Sequence, residues 1–204
     1  MLMNLADMKA SEIYFAMIQT ILPRPVAWVI SENKDASWNL APFSYFNAIS
    51  SSPPLISLSI GKKKDGSLKD TRRNISERDF FTVQIPSVEQ AQLVTDSAKP
   101  FNENVSEIDA LGLDLVYEDG FRVPRLKNSK VTYFCRKEEI LEIGSVPQGL
   151  IIGRVEAVYI DDSIIEYKEN RLKVNAAQLN PLARLGGNDY AGITEPFSVY
   201  PSKD

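Results

Sequence analysis

The sequence predicts an all-β protein, a barrel of antiparallel strands with a few helices at its periphery. Short apolar runs rich in β-branched and aromatic residues recur along the chain, and such runs are typical of strands. The last run alternates along its second half, with Val155, Ala157 and Tyr159 on one side, which is the period of a half-buried strand. The runs are spaced as in hairpins rather than in βαβ units.

Six apolar runs are the predicted strands, at residues 25–30, 55–60, 80–85, 131–135, 140–143 and 150–160. Residues 39–54 form a further apolar and aromatic segment that also carries small hydroxyl and amide side chains. Pro42 lacks an N–H and would interrupt a central strand. We therefore expect an irregular segment here, able to place backbone donors and acceptors along a flat heteroaromatic ring. The alternative is a core strand with a bulge.

Helical patterns are fewer and shorter. An apolar stripe near the start of the chain ends at Pro23, and the last helical segment is interrupted by Pro181. The predicted helices cover residues 13–21, a segment that begins at Ser67 or Asp70 and reaches Ile75, residues 88–96, and residues 176–185. Residues 99–109 are polar and are expected to form a surface loop or crossover.

Length and composition are those of a globular protein. The chain has 204 residues, 44% of them apolar and 25% charged, which is enough to bury a core without a metal or a disulfide. No internal repeat is visible, and no polar segment separates two parts able to fold alone. We expect one domain over residues 1–204.

The residue types that are missing exclude several classes of site. The chain has no histidine and one cysteine, Cys135. Ser-His-Asp and Cys-His catalysis, His-ligated metals and intramolecular disulfides are therefore excluded, and no metal site is expected. The net charge of −4 argues against nucleic-acid binding. Neither a secretory signal nor an apolar run of about 20 residues is visible, so we expect a cytoplasmic protein that does not enter the membrane.

One segment has the opposite charge to the rest of the chain. Residues 61–73 contain six basic and two acidic residues and lie between a predicted strand and a predicted helix start. Loop N–H groups and a helix N-terminus together favour anions. The segment is not a Walker A loop, because Ser67 and Leu68 follow Gly66. The alternative is a solvated charged hairpin tip.

Five motifs in this order resemble a known family. They are residues 24–29 (RPVAWV), 39–44 (NLAPFS), 46–54 (FNAISSSPP), 59–61 (SIG) with 69–74 (KDTRRN), and 181–190 (PLARLGGNDY). Together they resemble the flavin reductase-like and flavoredoxin-like proteins of the FMN-binding split-barrel superfamily. The resemblance implies an antiparallel split β-barrel and a homodimer that holds FMN near the interface between its subunits.

The resemblance also implies which residues contact FMN. It places Asn39, Leu40, Ala41 and Pro42 along the isoalloxazine, and Ser44, Asn47 and Ser50 under the ribityl chain. It places Ser59, Gly61, Lys62, Lys69, Asp70 and Thr71 around the phosphate, with Arg24 close to the flavin or its phosphate. Among the departures from the family pattern, Gln84 stands where Asn is usual and Tyr159 where His is frequent.

The function implied is NAD(P)H-dependent reduction of FMN, with NADH or NADPH as the reductant. Such a reaction needs little from side chains, because the cofactor supplies the electronics, and no residue is assigned as a general base. Two alternatives stay open. One is a non-catalytic FMN-binding electron carrier, reduced by another protein, and the other is a pyridoxamine-phosphate-oxidase-like activity on the same barrel.

Overall fold

A computed structural model describes residues 1–101, 105–145, 148–168 and 171–202. Its strands are β1 (Arg24–Pro25), β2 (Ala27–Glu32), β3 (Trp38–Phe43), β4 (Phe46–Ser51), β5 (Pro54–Ile60), β6 (Phe80–Gln84), β7 (Leu115–Val116), β8 (Arg125–Leu126), β9 (Val131–Ile143), β10 (Gln148–Ile160), β11 (Ile165–Lys168), β12 (Arg171–Val174), β13 (Ala183–Arg184) and β14 (Tyr190–Ala191). Its α-helices are α1 (Ala10–Thr20), α2 (Asp70–Arg78), α3 (Ala91–Asp96), α4 (Glu107–Ala110) and α5 (Ala176–Leu179), and short 3₁₀ helices cover Leu5–Asp7, Val88–Gln90 and Asp162–Ile164.

Seven strands form one antiparallel sheet in the order β3-β2-β6-β9-β10-β5-β4. The long β9–β10 hairpin lies near its middle, and β3 and β4 are its two edges. Smaller antiparallel ladders join β1, β13 and β14, then β7 and β8, then β11 and β12. The predicted β-rich architecture with peripheral helices is confirmed, and it is that of a split barrel.

Strand β2 shows where the core lies. Ala27 and Val29 belong to an apolar cluster on one side of the sheet, and Trp28 and Ile30 belong to a second cluster on the other. All four are fully buried. Side chains of a strand alternate between its two faces, so a strand buried on both faces reads as the continuous apolar run seen in the sequence.

Two strand predictions need correction. Residues 39–54 form β3, β4 and the start of β5, with a bulge in β4 between Ala48 and Ser50, so the alternative of strand structure with a bulge replaces the expected irregular segment. Pro42 is accommodated because β3 is an edge strand, where a missing N–H costs no ladder hydrogen bond on the outer side. The runs at 131–135 and 140–143 are one strand, β9, whose polar middle lies partly in solvent and pairs with β10.

Three of the predicted helices are confirmed and one is not. The stripe near the start forms α1, the basic segment leads into α2 at Asp70, and residues 88–96 form a 3₁₀ turn followed by α3. The fourth is much shorter than predicted, because α5 ends at Leu179 and β13 begins at Ala183. Among the residues that the structure describes, no helix has the length and apolar character needed to cross a membrane.

Candidate flavin site

An open cleft of about 840 Å³ lies between β3, the start of α2 and the segment that precedes α4. Six residues predicted from the sequence line it: Asn39, Ala41, Pro42, Lys69, Asp70 and Thr71. They come from two motifs that are about 30 residues apart in the chain. The fold therefore brings the edge strand and the basic segment to opposite walls of one cavity.

The first turn of α2 forms the basic wall. Lys69 is the N-cap residue, and its side chain makes no capping hydrogen bond. The backbone N–H groups of Asp70 and Thr71 belong to the first turn, where no acceptor within the helix is available. Uncapped first-turn amides and the positive end of the helix dipole together favour a bound anion.

A buried hydrogen bond joins the two walls. The side-chain amide of Asn39 donates to the Thr71 hydroxyl oxygen at 2.8 Å, and both residues are at least 95% buried. Asn39 also donates a longer bond of 3.4 Å to the Ser31 hydroxyl. Because the Thr71 oxygen accepts a proton from Asn39, its own O–H remains available as a donor.

Charges at the cleft are balanced locally. Asp70 pairs with Lys63 at 2.8 Å and also with Arg73. Burial on its own would raise the pKa of Asp70, but these two cations lower it below its usual value. Within the described part of the chain, Lys69 forms no ion pair. Its ammonium lies 5.7 Å from the centre of the Phe43 ring, and desolvation by the surrounding residues lowers its pKa.

Sequence patterns gave no indication of one further residue in the cleft. Glu107, the first residue of α4, is half-buried and accepts the backbone N–H of Leu40 at 3.0 Å. Burial raises the pKa of the Glu107 carboxyl, although the bond from Leu40 opposes this shift. The polar segment 99–109 was expected to be a loop or crossover, and only its described part can be compared: residues 107–110 are helical.

The remaining predicted residues do not line the cleft of this single chain. Leu40 is fully buried in the core. Asn47 and Ser50 lie on β4, at the opposite edge of the sheet, and Ser44 lies just before it. Ser59 is in β5, Gly61 follows it close to the Gln148 side chain, and Lys62 pairs with Leu68 across the basic hairpin.

Arg24 uses four of its five N–H donors on other parts of the protein instead. Its side chain is 5% exposed and donates to the carbonyl oxygens of Ile18, Ile21 and Leu185 at 2.7–2.8 Å. A longer bond of 3.4 Å reaches the Ser44 hydroxyl. This geometry ties the end of α1 to the C-terminal motif.

The two positions that depart from the family pattern lie elsewhere. Gln84 is fully buried in β6, where its amide donates to the carbonyl of Trp28 at 3.0 Å. Tyr159 stacks on the guanidinium of Arg125 at 3.6 Å and lines a second, shallow cavity of about 420 Å³. Neither side chain lines the larger cleft.

Residues 19–174 match the model of the flavin reductase like domain. The chain belongs to the flavin reductase-like family. An uncharacterized protein of Halalkalibacterium halodurans is 33% identical over 203 residues, which cover 98% of this chain and 95% of that protein. The fold, the motifs and the family model therefore agree, and the resemblance found in the sequence is confirmed.

Two solved structures have the same fold over nearly the whole chain. Nitrilotriacetate monooxygenase component B from Bacillus cereus has a TM-score of 0.89 and 32% identity, and 98% of each chain is covered. The Pseudomonas fluorescens 2-nitrobenzoate 2-nitroreductase has a TM-score of 0.87 and 26% identity, over 99% of this chain and 96% of that one.

Proposed function

We propose that this protein binds FMN in the cleft and catalyses its reduction by NADH or NADPH. The observation that carries the proposal is the convergence of Lys69, Thr71 and the uncapped start of α2 on one wall, opposite Ala41 and Pro42 on the other. One wall suits a phosphate, and the other offers a flat, partly apolar surface to a ring.

The donor set at the basic wall fits a phosphate monoester. First-turn amides of α2, the free proton of the Thr71 hydroxyl and the Lys69 ammonium are all donors, and phosphate oxygens are acceptors. Burial disfavours the charged form of Lys69, and a dianion beside it would restore that charge. Lys69 therefore gains more from a bound anion than a fully solvated lysine does.

The opposite wall would hold the ring system. Ala41 and Pro42 belong to a strand that is paired with β2 on one side only. Bound FMN supplies the electron-accepting chemistry, since it takes a hydride from a reduced nicotinamide. The chain's own part is to hold the ring against β3, anchor the phosphate at α2 and limit the access of water.

The names of two structural relatives support an enzyme rather than a passive carrier. One is a component of a monooxygenase and the other is a nitroreductase, and each shares more than a quarter of its residues with this chain. An electron carrier would need the same FMN site, so the site alone does not separate the two functions. The test that separates them is whether NADH or NADPH reduces the bound flavin.

We propose a homodimer as the functional form. Asn47, Ala48 and Ile49 are exposed on the edge strand β4, and helix α1 exposes Tyr14 and Phe15. A second copy would cover this apolar surface and bring Asn47 and Ser50 into contact with a ligand. Sedimentation of the purified protein tests this proposal, and a monomer at micromolar concentration would overturn it.

The deciding experiment is anaerobic absorption spectroscopy. FMN is added to the purified protein, free flavin is removed, and NADH or NADPH follows. Visible flavin bands that stay with the protein and bleach with a nicotinamide nucleotide support the reductase. Bands that stay but do not bleach support the electron carrier instead. The absence of any FMN binding, measured by direct titration before free flavin is removed, overturns both functions.

A further inference from the structure

The outer side of the edge strand β3 has hydrogen-bond partners outside the sheet. Ser106 donates to the carbonyl of Trp38 at 2.6 Å, and Glu107 accepts the N–H of Leu40 at 3.0 Å. Trp38 and Leu40 are two residues apart, so their backbone groups point to the same side of the strand. The start of α4 therefore replaces a neighbouring strand along this edge.

The next outward position along β3 is Pro42, which has no N–H. Leu40 consequently carries the outward N–H that comes just before Ala41 and Pro42, which line the cleft. Its partner, Glu107, lines that cleft together with Ala41 and Pro42. The contact spans 67 residues of sequence, so it fixes the position of β3 relative to a distant segment.

We propose that Glu107 is a positioning residue for the flavin ring: its carboxylate holds the Leu40 amide and thereby keeps Ala41 and Pro42 in place along the cleft. The inference rests on the proposed function, because it concerns the same site. It assigns to Glu107 no contact with the reacting atoms.

Two observations favour a positioning role over a general contribution to folding. Ser106 already caps α4, since its hydroxyl accepts the N–H of Ile108 at 3.2 Å. The Glu107 side chain is therefore not needed to start the helix, and it accepts the N–H of Leu40 in β3 instead. A half-buried carboxylate also loses solvation, which is the cause of its raised pKa, and the N–H of Leu40 offsets part of that cost.

Hydrogen exchange in the protein without flavin tests the contact directly. We expect the Leu40 amide to exchange at least about tenfold faster in Glu107→Ala than in the wild type, because the amide loses its acceptor. In Glu107→Gln, whose side-chain oxygen still accepts, the rate stays within about threefold of the wild type. Glu166→Ala is the matched control, because this exposed carboxylate on β11 accepts a bond from Asn175 at 2.8 Å far from β3.

Binding of FMN and of riboflavin tests the consequence. Riboflavin has the same ring and no phosphate, so a defect at the ring weakens both ligands by the same factor. We expect Glu107→Ala to raise both dissociation constants about tenfold, which corresponds to about 1.4 kcal/mol. Glu107→Gln and Glu166→Ala stay near the wild type.

The outcomes separate this inference from the proposed function. If the wild type binds neither flavin, the proposed function fails. If the wild type binds FMN and Glu107→Ala binds it equally well, only the inference fails. It also fails if Glu107→Gln is as weak as Glu107→Ala, because charge rather than the hydrogen bond would then matter. If Glu107→Ala does not fold, Glu107→Asp takes its place. Its carboxylate is one methylene further from the Leu40 amide, so this variant must show the same faster exchange and weaker flavin binding.

Discussion

The side-chain amide of Asn39 donates a 2.8 Å hydrogen bond to the hydroxyl of Thr71. This bond connects the edge strand of the sheet to the first turn of α2. Because the Thr71 oxygen accepts from Asn39, the hydroxyl keeps its own proton to donate, and Thr71 lines the cleft. The two motifs that suggested a flavin site are thus one hydrogen-bonded unit.

Replacing Asn39 by Asp should reverse this bond. The new carboxylate would accept the Thr71 proton and add a negative charge to the basic wall, so we expect FMN to bind at least about 100-fold more weakly. Titration of flavin fluorescence measures this change. Asn39→Ser introduces a small, uncharged side chain and should weaken FMN binding less. Equal losses of FMN affinity in the two variants would contradict the explanation.

Removing the charge of Lys69 should affect FMN and not riboflavin. We expect Lys69→Ala to weaken FMN binding about tenfold or more, because the FMN phosphate loses a partly buried ammonium in the cleft. Lys64→Ala removes the same charge from the tip of the same segment. Lys64 does not line the cleft, so its loss should change FMN binding little. Adding Thr71→Ala to Lys69→Ala should weaken FMN further with the fold intact; unchanged affinity in this pair would place the phosphate elsewhere.

Substitution of Arg24 should lower stability before it alters binding. Arg24→Ala leaves the carbonyls of Ile18, Ile21 and Leu185 without their donor, so we expect a loss of about 2–4 kcal/mol of unfolding free energy. The control is Arg136→Ala, because Arg136 is exposed and pairs with Glu156 at 3.3 Å. This substitution should lower the unfolding free energy by less than about 1 kcal/mol. Urea unfolding measures both. A variant such as Arg24→Lys that keeps its stability but loses FMN would instead support the flavin contact implied by the family resemblance.

Glu107→Gln should change how stability depends on pH. Burial raises the pKa of Glu107 in the folded protein, so the native state holds this proton more tightly than the unfolded chain. The contribution of Glu107 to stability is therefore full below its ordinary pKa and declines as the pH rises through the folded value. Glutamine does not titrate, so relative to the wild type the variant should become more stable as the pH rises from the ordinary pKa of a glutamate through the raised pKa of Glu107. Urea unfolding across that range tests the sign, and a relative loss would refute it.

Much of the fold follows from local patterns in the sequence. The run around Val29 is apolar on both faces because β2 is covered on both sides, and the basic segment ends at a helix start because Asp70 opens α2. Pro42 misled the prediction, since its effect depends on whether the strand is central or at an edge. Strand order is a property of the whole sheet, and no local pattern reports it.

The site was predicted in part for the same reason. Lys69 and Thr71 are in a conspicuous basic segment, and Asn39 to Pro42 belong to a motif, so all of them could be proposed from the chain alone. Glu107 lies in a polar segment that matches none of the motifs, and its partner is 67 residues away. Its role depends on a tertiary contact with a backbone group, which leaves no signature in the side-chain sequence.

The two edges of the main sheet differ in their capacity to accept a foreign strand. Along β3, Pro42 lacks a donor, and Ser106 and Glu107 occupy the neighbouring backbone groups, so an incoming peptide finds little to pair with. Along β4, none of the strands that the structure describes pairs with the outer edge. Unprotected edges are where sheets aggregate, so a charged residue or a proline introduced along β4 is the change that should keep this protein in solution when the proposed dimer is prevented.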